Sequence, residues 1–574
     1  MPTPANSRPP TPAAVLHALE AMRASFGPRA AAARRALLQA LERGELQRPA
    51  EVLRLHDLLC FWRSYPDDAT ALRLVERMLR GFSARSDLRR HAERLADSGI
   101  AGTAIRFRFF APTARWLAER WPDRVAVDWP RFENADRLAE WLPLLAHGAE
   151  IPALDELDLP ARDWVRRMRG PRTGDAAFLA RRFAELPMSD AARELVYDQL
   201  DVPWVLSPGA DTPSRTRARA PATILPPRSV SFQRRPLSRE RLAPAAMLGL
   251  RPRSVRALPP RDGARLVDLA REAMATRSRD LDVFAYGDPR DVRLVDFGGG
   301  LQFACIGAVP ERRLLLEAVY GYLTLKNGVP IGYVLTSALF GSSELAYNVF
   351  DTWRGAEAGP VYSRVLAMTR HLFGSDTFTI FPYQLGDGND EAIESGAWWF
   401  YWKMGFRPRE RAAVALMDRE LGRMRRDPSH RSSPGTLRRL ARHPVHLQLG
   451  RARRDIIGGL ELPHVGLHVM RFLGNRFGAD RTTAAAECSR EAAALLGSDP
   501  QPDWSADECQ AWERWAPLAL ILPGIARWSR AERAALAAVM RAKGGARESD
   551  FVRRFDAHPR LRRAIAALAA KEPR

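Results

Sequence analysis

The chain has 574 residues, 46% of them hydrophobic, and a formal net charge of +21. This length exceeds one ordinary hydrophobic core, so several folded units are predicted. No stretch approaches the ~20 consecutive apolar residues that a membrane-spanning helix requires. The proline-rich segment Met1–Ala13 also lacks the apolar core of a signal peptide. We therefore expect a cytoplasmic bacterial protein without a membrane span.

Arginine carries almost all of the positive charge. Of 88 basic residues only four are lysine: Lys326, Lys403, Lys543 and Lys571. This skew is typical of biased genomic base composition, because selection for phosphate contacts would not exclude lysine so completely. We therefore do not expect nucleic acid as the functional partner, although the charge favours loose association with polyanions.

The spacing of the cysteines and histidines does not indicate a metal site. The four cysteines lie far apart and form no CxxC pair, so neither a zinc site nor a disulfide framework is indicated. His443 and His446, like His464 and His468, have spacings compatible with metal ligands. Isolated histidines in arginine-rich helical segments are usually structural or exposed, so we predict no metal.

Residues from about 14 to 205 predict an N-terminal helical domain. Ala30–Arg43 is rich in strong helix formers, and apolar residues recur at helical spacing from Val52 to Trp62. Ile105–Phe110 is the only fair strand candidate in this region.

Residues 206–262 predict a basic, proline-rich linker. The pairs Pro226-Pro227 and Pro259-Pro260 break regular structure. Arginines crowd the same segment, among them Arg215, Arg217, Arg219, Arg234 and Arg235. Two interpretations remain: a solvated linker wrapped over the surface, or an arm that binds an anionic partner.

Residues 263–425 mix helices with strands. Asn327-Gly328 between two β-rich runs is the strongest hairpin signal, because both residues tolerate the positive φ of a type I′ turn. The first predicted elements are a helix over Gly263–Arg277, short strands over Val292–Val295 and Leu301–Ile306, and the two hairpin strands Glu317–Leu325 and Val329–Leu339.

The second half of this region alternates strand and helix. Its predicted elements are a turn at Gly341–Ser343, a third antiparallel strand over Glu344–Asp351, a helix over Pro360–Phe373, a strand over Thr377–Pro382, a helix over Asn389–Met404 ending at Gly405, and a last strand over Ala412–Leu416. Residues 426–574 again favour helices and predict a C-terminal helical domain. The fold class expected for the whole chain is α+β.

The turn Arg354–Gly359 reads RGAEAG and joins a strand to a helix. Such a turn presents free backbone N–H groups at a helix N-terminus, where they and the helix dipole suit a phosphate or pyrophosphate. By itself the turn is weak evidence for a phosphate site, but the order of strands and helices around it is more specific.

That order resembles the GNAT superfamily of N-acetyltransferases over about a quarter of the chain. The family's Q/R-x-x-G-x-G/A loop is matched at Arg354 and Gly359. Its helix pattern A-x-x-x-Y-x-x-x-G-F is matched in full by Ala397, Tyr401, Gly405 and Phe406. The resemblance implies a GNAT-like mixed sheet with helices, flanked by the two helical domains.

The resemblance also implies acetyl-CoA or another acyl-CoA as co-substrate. The loop residues Arg354, Gly355, Ala356, Glu357, Ala358 and Gly359 would hold its pyrophosphate. An unidentified amine, on a small molecule or a protein, would attack the thioester carbonyl directly while a base takes its proton.

Roles for side chains follow by position in the family. Tyr401 would be the general acid for the departing thiolate; alternatively it is one more aromatic packing on the sheet. Glu344 would be the general base, with Asp351, Glu391 and Glu394 as alternatives.

Glu357 departs from the family pattern, which has a glycine there. A carboxylate would repel a pyrophosphate unless its side chain points away. Three hypotheses therefore stand: an acyl-CoA-dependent N-acyltransferase, a catalytically degenerate GNAT-like scaffold or interaction protein, and an aminoacyl-tRNA-dependent transferase of the same fold.

Overall fold

The computed structural model describes residues 10–238, 240–498 and 502–573. Residues 1–9, most of the segment considered above for a signal peptide, lie outside this range. The described chain is α+β, with a large mixed sheet and many helices, as predicted. Among these residues, no helix combines the length and apolar composition that crossing a membrane requires.

The chain forms two compact units. Unit 1 comprises the residues up to Leu237 with Ala264–Tyr286 and Leu325–Ile331; unit 2 comprises Ser238–Gly263, Gly287–Thr324 and the chain from Gly332 onwards. The four-part division into domains drawn from the sequence stays a prediction.

The N-terminal region is mainly helical. Its elements are α1 (Pro12–Ala21), α2 (Pro28–Arg43), α3 (Pro49–Ser64), α4 (Ala69–Arg80), α5 (Ser86–Arg90), β1 (Ile105–Arg108), α6 (Ala111–Arg120), β2 (Val125–Val127), α7 (Ala135–Leu145), α8 (Ile151–Glu156), α9 (Ala161–Arg169), α10 (Asp175–Ala184), α11 (Asp190–Leu200) and β3 (Pro203–Leu206). The predicted strand at Ile105 is present as β1. β1 pairs antiparallel with β3, and β3 also pairs with β2. The sequence pattern did not predict β2 and β3.

The predicted linker contains regular structure that the sequence pattern missed. Its elements and the helices that follow are α12 (Pro244–Gly249), β4 (Ser254–Ala257), α13 (Pro260–Ala275) and α14 (Asp282–Ala285). Met247 of α12 is fully buried in the core of unit 2. The predicted helix at Gly263 begins three residues earlier, because Pro260 suits a first helical turn.

The remaining elements of the central region form one sheet with helices. They are β5 (Gly287–Asp296), β6 (Leu301–Ala308), β7 (Ala318–Lys326), β8 (Val329–Leu339), β9 (Ser342–Val349), α15 (Ala358–Phe373), β10 (Thr377–Ile380), α16 (Pro382–Leu385), α17 (Asp390–Ser395), α18 (Ala397–Lys403), β11 (Arg407–Pro408), α19 (Arg411–Arg426), α20 (Pro434–Ala441) and β12 (Val445–Gln448). In the described chain, nine strands lie in the order β11-β12-β10-β9-β8-β7-β6-β5-β4. β9 and β10 run parallel, whereas β8 and β9 are antiparallel.

Three predictions in this region are wrong. The helix predicted over Asn389–Met404 is two helices, α17 and α18, because Gly396 adopts a left-handed φ of 67° between them. The strand predicted at Ala412–Leu416 lies inside α19, whose sequence is rich in helix formers. The turn predicted at Gly341–Ser343 falls one residue earlier, on Phe340 and Gly341, which both have positive φ.

The hairpin predicted at Asn327-Gly328 is confirmed. Asn327 and Gly328 have φ of 51° and 78°, as a type I′ turn requires. The buried Asn327 amide also donates to the carbonyls of Ser64 at 2.8 Å and Ser231 at 3.0 Å, and its Oδ1 accepts from the Ser231 N–H at 2.8 Å. One side chain thus fixes the turn and ties it to two other segments of unit 1.

We expect Asn327→Ala to lower the free energy of unfolding of unit 1 by about 2 kcal/mol, because it leaves buried backbone groups of Ser64 and Ser231 unsatisfied. Urea denaturation followed by tryptophan fluorescence measures the change. Ser189→Ala, which removes the exposed N-cap of α11 in the same unit, is the control and should cost about 1 kcal/mol. Equal losses in the two variants would contradict the role of Asn327.

The C-terminal region is helical apart from β12. Its helices are α21 (Pro463–Phe477), α22 (Arg481–Leu496), α23 (Ala506–Ile521), α24 (Arg530–Lys543), α25 (Glu548–Asp556) and α26 (Pro559–Ala569). β12, which follows residue 425, pairs with β10 and β11, so this region completes the central sheet. The helices and the sheet share one hydrophobic core.

Candidate functional site

In the middle of the sheet, the parallel strand β10 ends well before its neighbour β9. They pair only through Ser342, Ser343 and Glu344 of β9, opposite Thr377–Thr379. In the described chain, β9 continues to Val349 beyond this pairing, while β10 ends at Ile380. The second half of β9 therefore presents backbone N–H and C=O groups along an edge that β10 does not cover.

A cavity of about 310 Å³ lies beside this edge. Its walls come from the end of β9, the turn and first residue of α15, and the helices α16 to α18. The residues that bear on its chemistry are Tyr347, Asn348, Arg354, Gly355, Ala358 and Tyr401. The fold therefore brings the turn Arg354–Gly359 and the helix carrying Tyr401 to one cavity.

Helix α15 begins at Ala358, two residues before the predicted start. Glu357 is its N-cap residue, and its side chain makes no capping hydrogen bond. Pro360 has no N–H, so the first turn offers the N–H groups of Ala358 and Gly359 at the positive end of the helix dipole. Ala358 lines the cavity, and this helix end suits an anion.

Gly359 lies against another part of the chain. A Cβ at this position would meet Cγ of Arg241 and the carbonyl oxygen of Glu240, each at 3.2 Å. The segment before α12 therefore covers this side of the helix start. Ala356 is buried as well, so the exposed part of the turn is formed by Arg354 and Gly355.

Arg354 stands at the rim of the cavity between two carboxylates. Its guanidinium contacts Asp351 at 2.8 Å and also pairs with Glu391 of α17. All three side chains are substantially exposed, so these pairs contribute little to stability and can rearrange. Asp351, Glu391 and Glu394 are the alternatives to Glu344 as general base. Asp351 and Glu391 form ion pairs with Arg354, and Glu394 is exposed.

Tyr401 is buried in an aromatic cluster next to the same cavity. Its ring lies 5.6 Å from that of Tyr362, which in turn lies 5.1 Å from Tyr347. Burial raises the pKa of the Tyr401 hydroxyl, and a hydrogen bond with the backbone of Tyr347 partly offsets this rise. Tyr401 therefore stays protonated and can donate a hydrogen bond at any physiological pH.

Two polar atoms beside this cluster lack partners. Oδ1 of Asn348, which lines the cavity, and the hydroxyl of Tyr362 are buried and make no hydrogen bond within the described chain. Buried polar atoms are normally paired, so the unpaired Oδ1 of Asn348 in the cavity wall indicates a place for a ligand or water.

Glu344 lies on β9 where the pairing with β10 ends. Side chains alternate along a strand, so Glu344 and Tyr347 face opposite sides of the sheet. Ser337 lies directly across from Glu344 and donates its hydroxyl to the carboxylate at 3.1 Å. Burial raises the pKa of Glu344 to about 7; the Ser337 bond opposes the rise and the charge of Glu317 adds to it. A carboxylate with this pKa is suited to act as a general base near neutral pH.

Several side chains of this region were not singled out from the sequence. Ser337 and Glu317 accompany Glu344, and Tyr347 and Asn348 line the cavity. The two-residue turn at Phe340-Gly341 would have placed Ser337 opposite Glu344. Because the turn was predicted one residue too late, this pairing was missed.

The histidines considered for metal binding lie apart from this cavity's walls. His446 contacts the Thr379 hydroxyl at 3.1 Å, and His464 contacts the backbone carbonyl of Ala569 at 3.0 Å. In the described ranges, no group of three or more histidine, cysteine or acidic residues is arranged to hold a metal ion.

Comparisons of the chain with protein-family models, with curated proteins and with solved structures found no match. The functional interpretation therefore depends on the geometry of the cavity and of Glu344.

Proposed function

We propose that the chain is an acyl-CoA-dependent N-acyltransferase, with acetyl-CoA as the first donor to test, built on a GNAT-like domain within unit 2. The observation that supports this proposal is the end of the β9–β10 pairing directly after Glu344, with a cavity between the uncovered edge of β9 and the start of α15. An extended, amide-bearing arm such as that of CoA could pair with this edge as an additional strand would.

The charged end of the donor would lie at the start of α15. The N–H group of Ala358, with the helix dipole, would receive the pyrophosphate. Arg354 would turn from Glu391 to a phosphate oxygen, with which a guanidinium forms stronger paired hydrogen bonds.

Acyl transfer would use side chains from both faces of the sheet. The amine nitrogen attacks the thioester carbonyl, the C–N bond forms, the C–S bond breaks, and Glu344 receives the proton that the nitrogen loses. Tyr401 would donate a hydrogen bond to the departing thiolate. Because its pKa lies above that of a thiol near 8.5, it stabilises the thiolate without transferring its proton completely.

Acetyl-CoA binding tests the proposal. We expect calorimetric titration of the full chain to give micromolar binding, and Ala358→Trp to weaken it at least about tenfold by filling the cavity. Ala415→Trp, on the exposed face of α19, is the matched control and should bind like the wild type. Binding by Ala358→Trp at wild-type strength would contradict the assigned cavity.

A catalytically degenerate scaffold is the second candidate, and Glu357 is the observation that favours it. This carboxylate occupies the N-cap of α15, beside the N–H groups that a pyrophosphate requires. If Glu357→Gly binds acetyl-CoA and the wild type does not, the chain carries a closed site and the scaffold interpretation replaces the enzyme.

A further inference from the structure

Unit 1 contains a cavity of about 670 Å³ that the proposed acyl transfer does not use. It lies between the end of α3, the end of α4 and the segment that follows β3. Its volume is within the range of cavities that bind small organic molecules.

The lining of this cavity is strongly basic. Arg63, Arg80, Arg217 and Arg219 contribute four guanidinium groups, whereas Glu76 is the single carboxylate in the described lining. Glu76 is already paired with Arg219 at 2.8 Å. Arg63 and Arg80 therefore have no carboxylate partner in the described lining, whereas the charges of Glu272 and Asp211 act on Arg217.

Arg63 is the most deeply placed of the four arginines. It is only 3% exposed, and it donates to the backbone carbonyls of Thr216 at 2.6 Å, Arg215 at 3.0 Å and Ala218 at 3.3 Å. Its Nε is buried and has no hydrogen-bond partner in the described chain. A buried charge that is held only by carbonyl dipoles is costly, and a bound anion would offset this cost.

The electrostatics of the neighbouring arginines agree with this picture. Burial lowers the pKa of Arg219; Glu76 raises it, and the charge of Arg63 lowers it further. Burial also lowers the pKa of Arg217, and the carboxylates of Glu272 and Asp211 oppose this change; its guanidinium donates to the carbonyls of Gly209 and Thr212. The positive charges of Arg63 and Arg219 are thus held together in a partly desolvated site.

Part of the cavity wall is apolar. Leu79, Ala101 and Pro208 line it together with Gly102 and Gly209. An inorganic ion would leave this wall in contact with water, whereas an organic phosphate could place its phosphates on the arginines and a flat apolar group against it. Guanidinium forks match phosphate oxygens in pairs.

We propose that this cavity binds a phosphate-bearing small molecule of nucleotide size. Arg63 and Arg219 form its deep end and Arg80 and Arg217 its entrance. Of the two interpretations of the arginine-rich segment after β3, a solvated linker or an arm that binds an anionic partner, the proposal favours the second. The segment packs against α3 and α4 and contributes an anion-binding surface.

Calorimetric titration of the full chain with ATP, inorganic pyrophosphate and citrate tests this assignment. We expect micromolar binding of ATP, weaker binding of pyrophosphate, which cannot contact the apolar wall, and no comparable binding of citrate. Arg80→Gln and Arg217→Gln should each weaken ATP binding roughly tenfold or more, because each removes a charged hydrogen bond.

Arg73→Gln is the matched control, since Arg73 is exposed on the same helix as Arg80 and its loss changes the net charge equally. Its ATP affinity should equal that of the wild type. The proposal is overturned if ATP does not bind, if citrate or pyrophosphate binds as tightly as ATP, or if Arg73→Gln loses as much affinity as Arg80→Gln. Ala358→Trp should retain ATP binding, which separates this site from the proposed acyl-CoA cavity.

Discussion

Replacing Glu344 with glutamine is expected to slow acyl transfer by about 100-fold or more at pH 8, the contribution typical of a general base. The expectation rests on the proposed function and on the position of Glu344, where the pairing of β9 with β10 ends. Glutamine keeps the size of the side chain and can accept the Ser337 hydrogen bond, but it cannot take a proton from the amine. Release of free thiol from acetyl-CoA, with a panel of amines as acceptors, measures the rate.

The pH profile distinguishes a base from a residue that only shapes the site. Burial raises the pKa of Glu344 to about 7, and only the ionised form is a base, so the rate should rise as pH increases through about 7. The hydrogen bond from Ser337 favours the ionised form. Ser337→Ala should therefore raise the pKa further and move the rising limb to higher pH, while Glu344→Gln should abolish that limb.

The stability of Glu344→Gln is an independent control for its loss of activity. A carboxyl whose pKa rises from 4.5 to about 7 on folding stabilises the folded state below pH 4.5, and this stabilisation is lost as pH rises through 7. Glutamine does not ionise, so Glu344→Gln should be at least as stable as the wild type at pH 8. Asp418→Asn, which alters an exposed carboxylate on α19, should change neither rate nor stability. An inactive Glu344→Gln with a lowered melting temperature would contradict the catalytic role.

The parts of the fold that could be predicted are those that a few adjacent residues determine. Asn327-Gly328 specifies a type I′ turn by its own backbone preferences, and the strands on both sides follow from it. The break at Gly396 could not be predicted, because a glycine inside a helical pattern is often tolerated. The strand at Val445–Gln448 depends on pairing with β10, which is distant in the chain and leaves no local signal.

The candidate site shows the same limit. The order of strand, turn and helix predicted which segments would meet, and Arg354 and Tyr401 do line one cavity. The early end of β10 beside β9 and the cover over Gly359 from Arg241 depend on packing, which the sequence pattern does not report. Likewise, the cavity lined by Arg63 and Arg217 brings together residues that are far apart in the chain. The many arginines after β3 did not by themselves distinguish a solvated segment from a binding surface.

Lys543 is one of the four lysines of the chain, and it is buried. It is 5% exposed, its Nζ lies 2.6 Å from the carboxylate of the fully buried Glu548, and it also donates to the carbonyl of Glu317 at 2.9 Å. The ammonium lies 4.1 Å from the centre of the Phe551 ring, which adds a cation–π contact. This pair therefore joins the end of α24 to the start of α25 and to the residue before β7.

Lys543→Met is expected to lower the free energy of unfolding of unit 2 by about 3–5 kcal/mol, because it leaves the buried Glu548 carboxylate without its ion-pair partner and with only the more distant charge of Arg313. Burial already raises the pKa of Glu548, and Lys543 opposes this rise. In the variant the carboxyl pKa rises further, so the loss should grow as pH increases and shrink as pH falls, when Glu548 takes a proton. Urea denaturation at several pH values measures it.

The double variant Lys543→Met, Glu548→Leu decides whether the loss comes from the stranded charge or from packing. Removing both charges removes the cost of burying them, so the double variant should recover most of the stability and lose the pH dependence. Arg438→Met breaks the exposed pair with Asp390 at 2.9 Å and should cost less than about 1 kcal/mol. If the double variant is as unstable as Lys543→Met, the loss lies in the lysine's contacts with Phe551 and the Glu317 carbonyl, and the buried pair contributes specificity of packing without a net electrostatic gain.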